Sequence, residues 1–179
     1  MQASPVQTRS IIYRRVEITP YLTANDEVDE KLSAFDFDWD GVRLEAATGC
    51  NTADSQDPDA SQFIVSLRLK VKNETGKPCP YRVDIEVLGF IAVNLQLPAE
   101  RREALATVNG LAVLYGAARE LITSITCRME YGPLTLPGVN FQDQANSPQP
   151  SQNLAETQPD APADNPELQS QRPSLARIR

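Results

Sequence analysis

Apolar and polar residues alternate with a period of two in the middle of the chain. Every second residue of the segment 62–72 is apolar, which predicts a strand that is buried on one face only. The alternation resumes over residues 81–87, and the intervening residues 73–76 (NETG) have the composition of a turn. The pattern therefore predicts an antiparallel β-hairpin.

Beyond Val87 the second strand of this hairpin is apolar at successive positions. A strand that is apolar on both faces must be covered on both, which a subunit contact or a peptide-binding groove would provide. Two weaker strands are predicted before the hairpin, over residues 10–18 and 39–47. We therefore expect a sheet of four strands.

The pattern changes to a helical period after Pro98. A short helix is predicted from Pro98 to the Asn-Gly pair at 109–110, because proline fits the first turn of a helix and Asn-Gly is typical of a helix end. A longer helix is predicted over residues 111–129, where apolar residues recur every three or four positions, and the Gly-Pro pair at 132–133 ends it. This order predicts an α+β domain, a four-stranded antiparallel sheet covered on one face by a short and a long helix.

The C-terminal segment, residues 142–179, differs in composition from the rest of the chain. It is rich in proline and glutamine and contains no aromatic residue and no valine. Such a segment cannot bury enough apolar surface to offset the entropy lost on ordering. We expect a disordered tail over residues 142–179, a folded domain over residues 10–141 and a flexible N-terminus over residues 1–9.

The net charge of the chain argues against a nucleic acid partner. The chain carries a formal charge of −7, whereas proteins that bind the phosphate backbone need clustered lysine and arginine, so we expect no nucleic acid partner. Residues 24–60 hold eleven acidic residues against two basic ones. We interpret this excess as solvated acidic loops, with the docking of a basic partner as the alternative.

The sequence lacks the residues and motifs on which most catalytic mechanisms depend. It contains no histidine, which is the commonest general base and zinc ligand, and it has no glycine-rich phosphate loop. Asp36, Asp38 and Asp40 alternate on one strand-like face, and we interpret them as a solvated edge rather than a catalytic set. We therefore expect a protein that is not an enzyme and that needs no metal or other cofactor.

Cysteine usage and hydropathy indicate the compartment. Cys50, Cys79 and Cys127 are widely spaced and form no CxxC pair, which indicates free buried thiols in a reducing cytosol. No stretch approaches the roughly 18 apolar residues that a membrane helix needs, and no N-terminal segment has the pattern of a signal peptide. These features predict a soluble cytoplasmic protein without stable membrane insertion.

The segment from Ala117 to Phe141 has the clearest family signature. It reads AARELITSITCRMEYGPLTLPGVNF, and several of its residues fall without an insertion at the spacing of the SecB export chaperones, which the segment resembles. Those residues are Arg119-Glu120, Ile122-Thr123-Ser124, Arg128, Leu134, Leu136 and Val139-Asn140-Phe141. Glu86-Val87 before a Gly-aromatic step is also similar to the fourth strand of that family. The similarity covers residues 10–141 and is strongest near its end.

The resemblance implies a homotetramer, arranged as a dimer of dimers, that holds unfolded preproteins without ATP and passes them to the translocation motor SecA. It also implies a large apolar groove that captures extended client segments through many weak contacts. The expected groove residues are Leu88, Phe90, Ile91, Val93, Leu95, Leu134, Leu136 and Phe141. Glu86 matches one of the acidic residues through which family members contact SecA.

Two features of the chain depart from the family pattern. Val16 and Pro20 stand about where further acidic contacts to SecA are expected, and the tail is longer and richer in proline and glutamine than family tails. Two alternatives therefore stay open. One is a SecB-like chaperone dedicated to a single client such as an antitoxin, and the other is an oligomeric scaffold without chaperone activity.

Overall fold

Four strands precede one long helix in the computed structural model, which describes residues 4–23, 25, 27–35, 37–54, 60–72 and 78–145. In chain order the elements are β1 (Val6–Pro20), β2 (Arg43–Thr52), β3 (Gln62–Lys72), β4 (Tyr81–Val93), α1 (Ala99–Thr126) and a single turn of 3-10 helix (Gln142–Ala145). The expected α+β class, with an antiparallel four-stranded sheet and C-terminal helical cover, is confirmed.

The four strands form one antiparallel sheet in the order β1-β4-β3-β2. β3 and β4 pair from Gln62 opposite Ala92 to Val71 opposite Val83, which confirms the predicted hairpin. Its turn, predicted at residues 73–76, lies outside the described residues. Because β1 returns to pair with β4, β1 and β2 form the two edges of the sheet.

Both edge strands differ from their expected bounds. β1 is 15 residues long, and its pairing with β4 breaks register at Arg9 and again at Arg14. β2 begins at Arg43 rather than at Trp39, because Gly41 adopts a φ of 78° and turns the chain just before the strand. Glycine reaches this left-handed conformation without the steric cost that a side chain would impose.

The core lies between the sheet and α1, which contacts all four strands. Side chains of β3 and β4 alternate between a buried face beneath the helix and a half-buried face on the other side. Leu111, Leu114 and Ile122 of α1 are fully buried in the same core. We call the side of the sheet that faces away from α1 the open face.

The expectation of two helices is wrong, since α1 runs unbroken from Ala99 to Thr126. Asn109 lies inside it and donates its side-chain amide to the Leu105 carbonyl at 2.8 Å. Gly110 permits close contact with the sheet, because a Cβ at this position would lie 2.8 Å from Cγ2 of Val65. Gly110 therefore serves helix–sheet packing, and the Asn-Gly pair does not terminate the helix.

The helix also ends earlier than expected, at Thr126 rather than near Met129. The hydroxyl of Thr126 donates back to the Ile122 carbonyl at 2.7 Å, a local bond that threonine forms readily in helices. The chain then changes direction at Gly132, which has a φ of 81°. The Gly-Pro pair thus sets the direction of the chain after the helix and does not end the helix.

The folded part is longer at both ends than the expected domain of residues 10–141. β1 begins at Val6, and a turn of 3-10 helix follows Phe141, where Gln144 accepts a hydrogen bond from the Thr48 hydroxyl at 3.3 Å. All described residues belong to one compact unit that spans Met1–Gln149. Residues 146–179 lie outside the described residues, so their disorder stays a prediction.

Candidate functional site

The chain that leaves α1, residues 127–141, is called the exit segment, and it runs back along the helix. The backbone N–H of Leu134 donates to the Thr126 hydroxyl at 2.8 Å. Further along, the Tyr115 hydroxyl donates to the Pro137 carbonyl at 2.6 Å. These bonds hold an extended segment, which has no strand partner of its own in the described sheet, against a rigid helix.

The connection between β1 and β2, residues 21–42, is called the crossover segment, and Tyr131 attaches it to the exit segment. The Tyr131 hydroxyl donates to the Tyr21 carbonyl and accepts the Asp29 N–H at 3.0 Å. The Tyr131 carbonyl accepts the Ala34 N–H at 2.8 Å. One buried residue of the exit segment therefore fixes the crossover segment at three points.

Tyr131 is itself positioned by Tyr81 of β4. The backbone N–H of Tyr131 donates to the Tyr81 hydroxyl at 3.0 Å, and that hydroxyl donates to the Gly132 carbonyl at 2.9 Å. The two rings pack edge to face with centroids 5.7 Å apart. Burial raises the pKa of Tyr81 above its ordinary value, so its hydroxyl stays protonated and continues to donate.

An aromatic cleft of about 220 Å³ opens where the crossover and exit segments meet. The indole N–H of Trp39 donates to the Thr135 carbonyl at 2.9 Å, which joins the two walls. Trp39 also packs edge to face against Phe37, with ring centroids 5.4 Å apart. The residues that line the cleft are Ala34, Phe35, Phe37, Pro133 and Thr135.

The aromatic cleft combines an exposed aromatic ring with an uncharged lining. None of its lining residues is charged, and Phe35 is 70% exposed, so a ligand that covers this ring removes apolar surface from water. The exposed carboxylates of Asp38 and Asp40 lie next to the aromatic residues in the chain. The cleft can therefore bind apolar side chains.

The aromatic cleft has a signal in the sequence, the alternation Phe-Asp-Phe-Asp-Trp-Asp over residues 35–40. The sequence expectation rests on the acidic half of this motif, and the structure places Asp38 and Asp40 in solvent as expected. The aromatic half supplies Phe35 and Phe37 to the cleft and Trp39 to its edge. Asp36 lies outside the described residues.

The eight residues expected to line a groove fall into three places. Leu88 and Phe90 are half-buried on the open face, and Leu95 is 62% exposed in the turn before α1. Along the exit segment, buried leucines alternate with Pro133 and Thr135, which line the aromatic cleft. The five that are buried in the core are Ile91, Val93, Leu134, Leu136 and Phe141.

The open face carries a charged cluster around Asp84. Arg68 donates two hydrogen bonds to its carboxylate, at 2.9 and 2.8 Å. Arg15 and Lys70 lie 3.3 and 3.7 Å from the same carboxylate. The hydrogen bonds from Arg68 hold the pKa of Asp84 below its ordinary value, and one carboxylate thus faces three cations.

Replacing Asp84 with asparagine is expected to lower the free energy of unfolding by about 1–3 kcal/mol at neutral pH, because charge-assisted hydrogen bonds from Arg68 are weakened. The pKa of Asp84 is lower in the folded protein than its unfolded value of about 3.9, so the stabilisation is present above that value. It is lost as the pH falls through the folded pKa. Urea denaturation from neutral pH down to the folded pKa of Asp84 measures the free energy of unfolding of D84N and of the parent. The difference between the two proteins should shrink as the pH falls, and a constant difference would contradict the pairing of Asp84 with Arg68.

The cysteines form no disulfide. Cys50 and Cys79 are buried as expected, and burial raises the pKa of Cys79 to about 11, which keeps it a thiol. Cys127 is exposed just after α1, contrary to the expectation that all three are buried. Among the described residues, no group of three or more His, Cys, Asp or Glu is placed to hold a metal ion.

Comparison with known proteins identifies the family. The sequence pattern of the family described as preprotein translocase subunit SecB matches residues 45–149, which is more than half of the chain. The chain belongs to the SecB family. Two relatives named protein-export protein SecB, from two strains of Acidithiobacillus ferrooxidans, are each 30% identical over 121 residues, covering 65% of this chain and 80% of the relative. The family is named for preprotein translocation, and both relatives are named for protein export.

Solved structures also resemble this SecB-family chain. A SecB-like chaperone of Mycobacterium tuberculosis, in complex with a ChAD peptide from the antitoxin HigA1, has a TM-score of 0.44 at 21% identity and covers 75% of this chain and 91% of its own. A Streptococcus agalactiae protein of unknown function has a TM-score of 0.43 at 13% identity, covering 74% and 97%. Neither helix in the described part of the chain is long and apolar enough to cross a membrane.

Glu86, the candidate SecA contact of this SecB-family protein, lies on the open face beside an arginine. Its carboxylate is 3.4 Å from the guanidinium of Arg14. Arg14 stands at a register break of β1, which brings Arg14 and Arg15 together next to the acidic residues of β4. Glu86 is therefore already paired within the chain.

Proposed function

We propose that the protein is an ATP-independent holdase that captures extended apolar segments of unfolded preproteins in the aromatic cleft. The observation that carries this proposal is Phe35, a large aromatic ring that is 70% exposed above an uncharged cavity of about 220 Å³. A ring with this exposure contributes nothing to the core and is free to be covered by a ligand. Membership in the SecB family supports the same conclusion.

The physics of the aromatic cleft favours broad client selection. Apolar burial contributes roughly 25 cal/mol per Å² and does not depend on direction, so different apolar side chains can replace one another. A cavity of about 220 Å³ accommodates only a few side chains at a time, and each contact is therefore weak. A long unfolded segment gains affinity by engaging several such clefts in an oligomer, which suits a tetramer.

A refolding assay tests the proposed holdase directly. The purified protein, at stoichiometric amounts and without ATP, should reduce light scattering from a chemically unfolded secretory protein during dilution into buffer. Folded client added as a control should not form a complex during gel filtration. Undiminished scattering with several unrelated clients would exclude holdase activity and favour the oligomeric scaffold.

Delivery to SecA in the cytoplasm is the second part of the proposal, with Glu86 as the candidate contact on the open face. A specific observation favours the alternative of a chaperone dedicated to one client such as an antitoxin. Glu86 is paired with Arg14, and Asp84 is surrounded by three cations, so these acids are less available to a basic partner. The two functions share the aromatic cleft and differ in the role of the open face.

Two substitutions distinguish these candidates. If SecA binds through Glu86, Glu86→Arg should weaken its binding about tenfold, and Arg14→Gln should strengthen it by releasing the carboxylate. Binding is measured by microcalorimetry with purified SecA, and client capture serves as the internal control because the aromatic cleft is untouched. Unchanged SecA affinity in both variants would favour the dedicated chaperone.

A further inference from the structure

A cavity of about 230 Å³, called the sheet-end cavity, lies where β1 begins and β4 ends. It is separate from the aromatic cleft, since the two share no lining residue. The polar residues of its lining are Ser4, Gln7, Arg9 and Asn94, and none of its lining residues is acidic. A concave site with one cation, amide and hydroxyl groups and no carboxylate is suited to an anion.

Backbone hydrogen bonds hold the frame of the sheet-end cavity. The N–H of Asn94 donates to the Pro5 carbonyl at 2.8 Å, which joins the start of β1 to the turn that follows β4. The N–H of Val93 donates to the Ser61 carbonyl at 2.8 Å. Val6 and Val93 stand opposite each other where β1 pairs with β4. The cavity is therefore formed around paired backbone and not by a loose end of the chain.

Arg9, the cation of the sheet-end cavity, stands at an irregularity of β1. Thr8 pairs with Ile91 and Ser10 pairs with Phe90, so Arg9 is an extra residue of β1 that has no partner in β4. Bulges of this kind turn a side chain away from the regular direction of the strand. Arg9 is exposed and forms no salt bridge with any described residue. Its charge therefore lacks a counterion in the part of the chain that the structure describes.

Two further side chains of the sheet-end cavity have hydrogens to donate. The Oδ1 atom of Asn94 accepts the Gln96 N–H at 2.9 Å, which leaves the amide nitrogen of Asn94 as a donor. The Ser4 hydroxyl oxygen accepts the Val6 N–H at 3.3 Å, and its own hydrogen remains available. Hydrogen bonds to a charged oxygen are stronger than bonds between neutral groups. These donors therefore add to the attraction that Arg9 exerts on an anion.

The size and the apolar residues of the sheet-end cavity limit the class of ligand. Its volume is below the range of about 300–1,000 Å³ that is usual for sites of drug-sized molecules. Pro5, Ala92 and Val93 supply apolar surface beside the polar groups. A polyanion such as nucleic acid needs several clustered cations, whereas this lining contains one. The geometry thus favours a small molecule with one anionic end and a short carbon skeleton.

We infer that the sheet-end cavity binds a small organic anion, a carboxylate or phosphate group on a short carbon skeleton. The guanidinium of Arg9 pairs with the anionic group, for which its planar set of donors is well matched. The amide and hydroxyl donors complete the contacts to the oxygens, and the apolar residues cover the carbon atoms. The site goes beyond the proposed holdase function and does not depend on it.

Ligand-observed NMR tests this inference on the full chain. The probes are glutarate and glycerol 3-phosphate, and glycerol is the neutral counterpart of the second. Saturation-transfer difference at low salt should show saturable binding of an anionic probe and no binding of glycerol. Arg9→Ala should weaken this binding at least tenfold. Arg9→Lys should weaken it less, because lysine keeps the charge and loses the paired donors of the guanidinium.

The matched control is Arg101→Ala, which removes the same charge from an exposed position of α1 outside the cavity lining. It should leave the affinity for both anionic probes unchanged. Binding of either anionic probe that depends on Arg9 supports the inference. The inference is overturned if neither anionic probe binds, if glycerol binds as well as glycerol 3-phosphate, or if Arg9→Ala and Arg101→Ala lose equal affinity.

Two further measurements separate this site from the fold and from the holdase. The circular dichroism spectrum and melting temperature of Arg9→Ala should match those of the parent, because Arg9 is exposed and has no salt bridge within the described residues. Client capture in the light-scattering assay should also be unchanged, since Arg9 does not line the aromatic cleft. Failure of the sheet-end cavity and failure of the holdase are therefore distinguishable.

Discussion

Gly110→Val is expected to lower the free energy of unfolding by about 2–3 kcal/mol, because the added methyl groups overpack a filled core. A Cβ at Gly110 would lie 2.8 Å from Cγ2 of Val65 and 3.2 Å from Cγ1 of Ile91, and both residues are fully buried. Neither neighbour is a flexible chain end in solvent, so the helix must move away from the sheet. Chemical denaturation followed by circular dichroism measures the loss.

Gly116 of the same helix provides the matched control, since a Cβ there would meet nothing within 4 Å. Gly116→Ala should raise the free energy of unfolding by about 0.5–1 kcal/mol through helix propensity alone, whereas Gly110→Ala should lower it despite the same gain. Shortening the facing residue, in Gly110→Ala/Val65→Ala, should make the Gly110 substitution less costly than it is alone. Equal stabilisation at both glycines would show that α1 does not approach the sheet closely at Gly110.

Phe35→Ser is expected to weaken client capture about 10- to 100-fold while leaving the melting temperature nearly unchanged. The ring is 70% exposed in the free protein, so its loss costs the fold little. Burial of a phenylalanine ring under a client contributes roughly 1.5–3 kcal/mol to the binding free energy, and each 1.4 kcal/mol changes the affinity tenfold. Anisotropy of a labelled, permanently unfolded client measures the change.

Two substitutions serve as controls for Phe35→Ser. Phe35→Leu keeps an apolar side chain in the aromatic cleft and should retain most of the affinity. Leu95→Ser removes the most exposed of the residues expected from the sequence to line the groove, 62% exposed in the turn before α1. If Leu95→Ser impairs capture and Phe35→Ser does not, clients bind near β4 rather than in the aromatic cleft.

Much of the fold could be predicted because its signals are local. The alternation in residues 62–72 and 81–87 identifies the hairpin without reference to the rest of the chain. The predicted helix end at the Asn-Gly pair, residues 109–110, is wrong for the same reason, because it follows from a local rule. The true function of Gly110 depends on Val65, which is distant in sequence and adjacent only after the helix packs on the sheet.

The candidate site was less predictable, because exposure depends on which segments meet in three dimensions. The exit segment has an apolar alternation whose leucines enter the core and whose residues Pro133 and Thr135 line the aromatic cleft. The pattern alone indicates a half-buried segment and does not show which side stays open. In the same way, the pairing of Glu86 with Arg14 depends on a register break of β1 that a single sequence does not show.

The bonds made by Tyr131 also bear on the order in which the chain folds. Its partners Tyr21, Asp29 and Tyr81 are separated from it by 110, 102 and 50 positions. Closing such long loops costs conformational entropy. Contacts between these distant residues are therefore expected to form late, after the local hairpin and helix. A nascent or partly unfolded copy therefore lacks the assembled cleft, and the proposed capacity to hold other unfolded chains would arise only when this chain has itself finished folding.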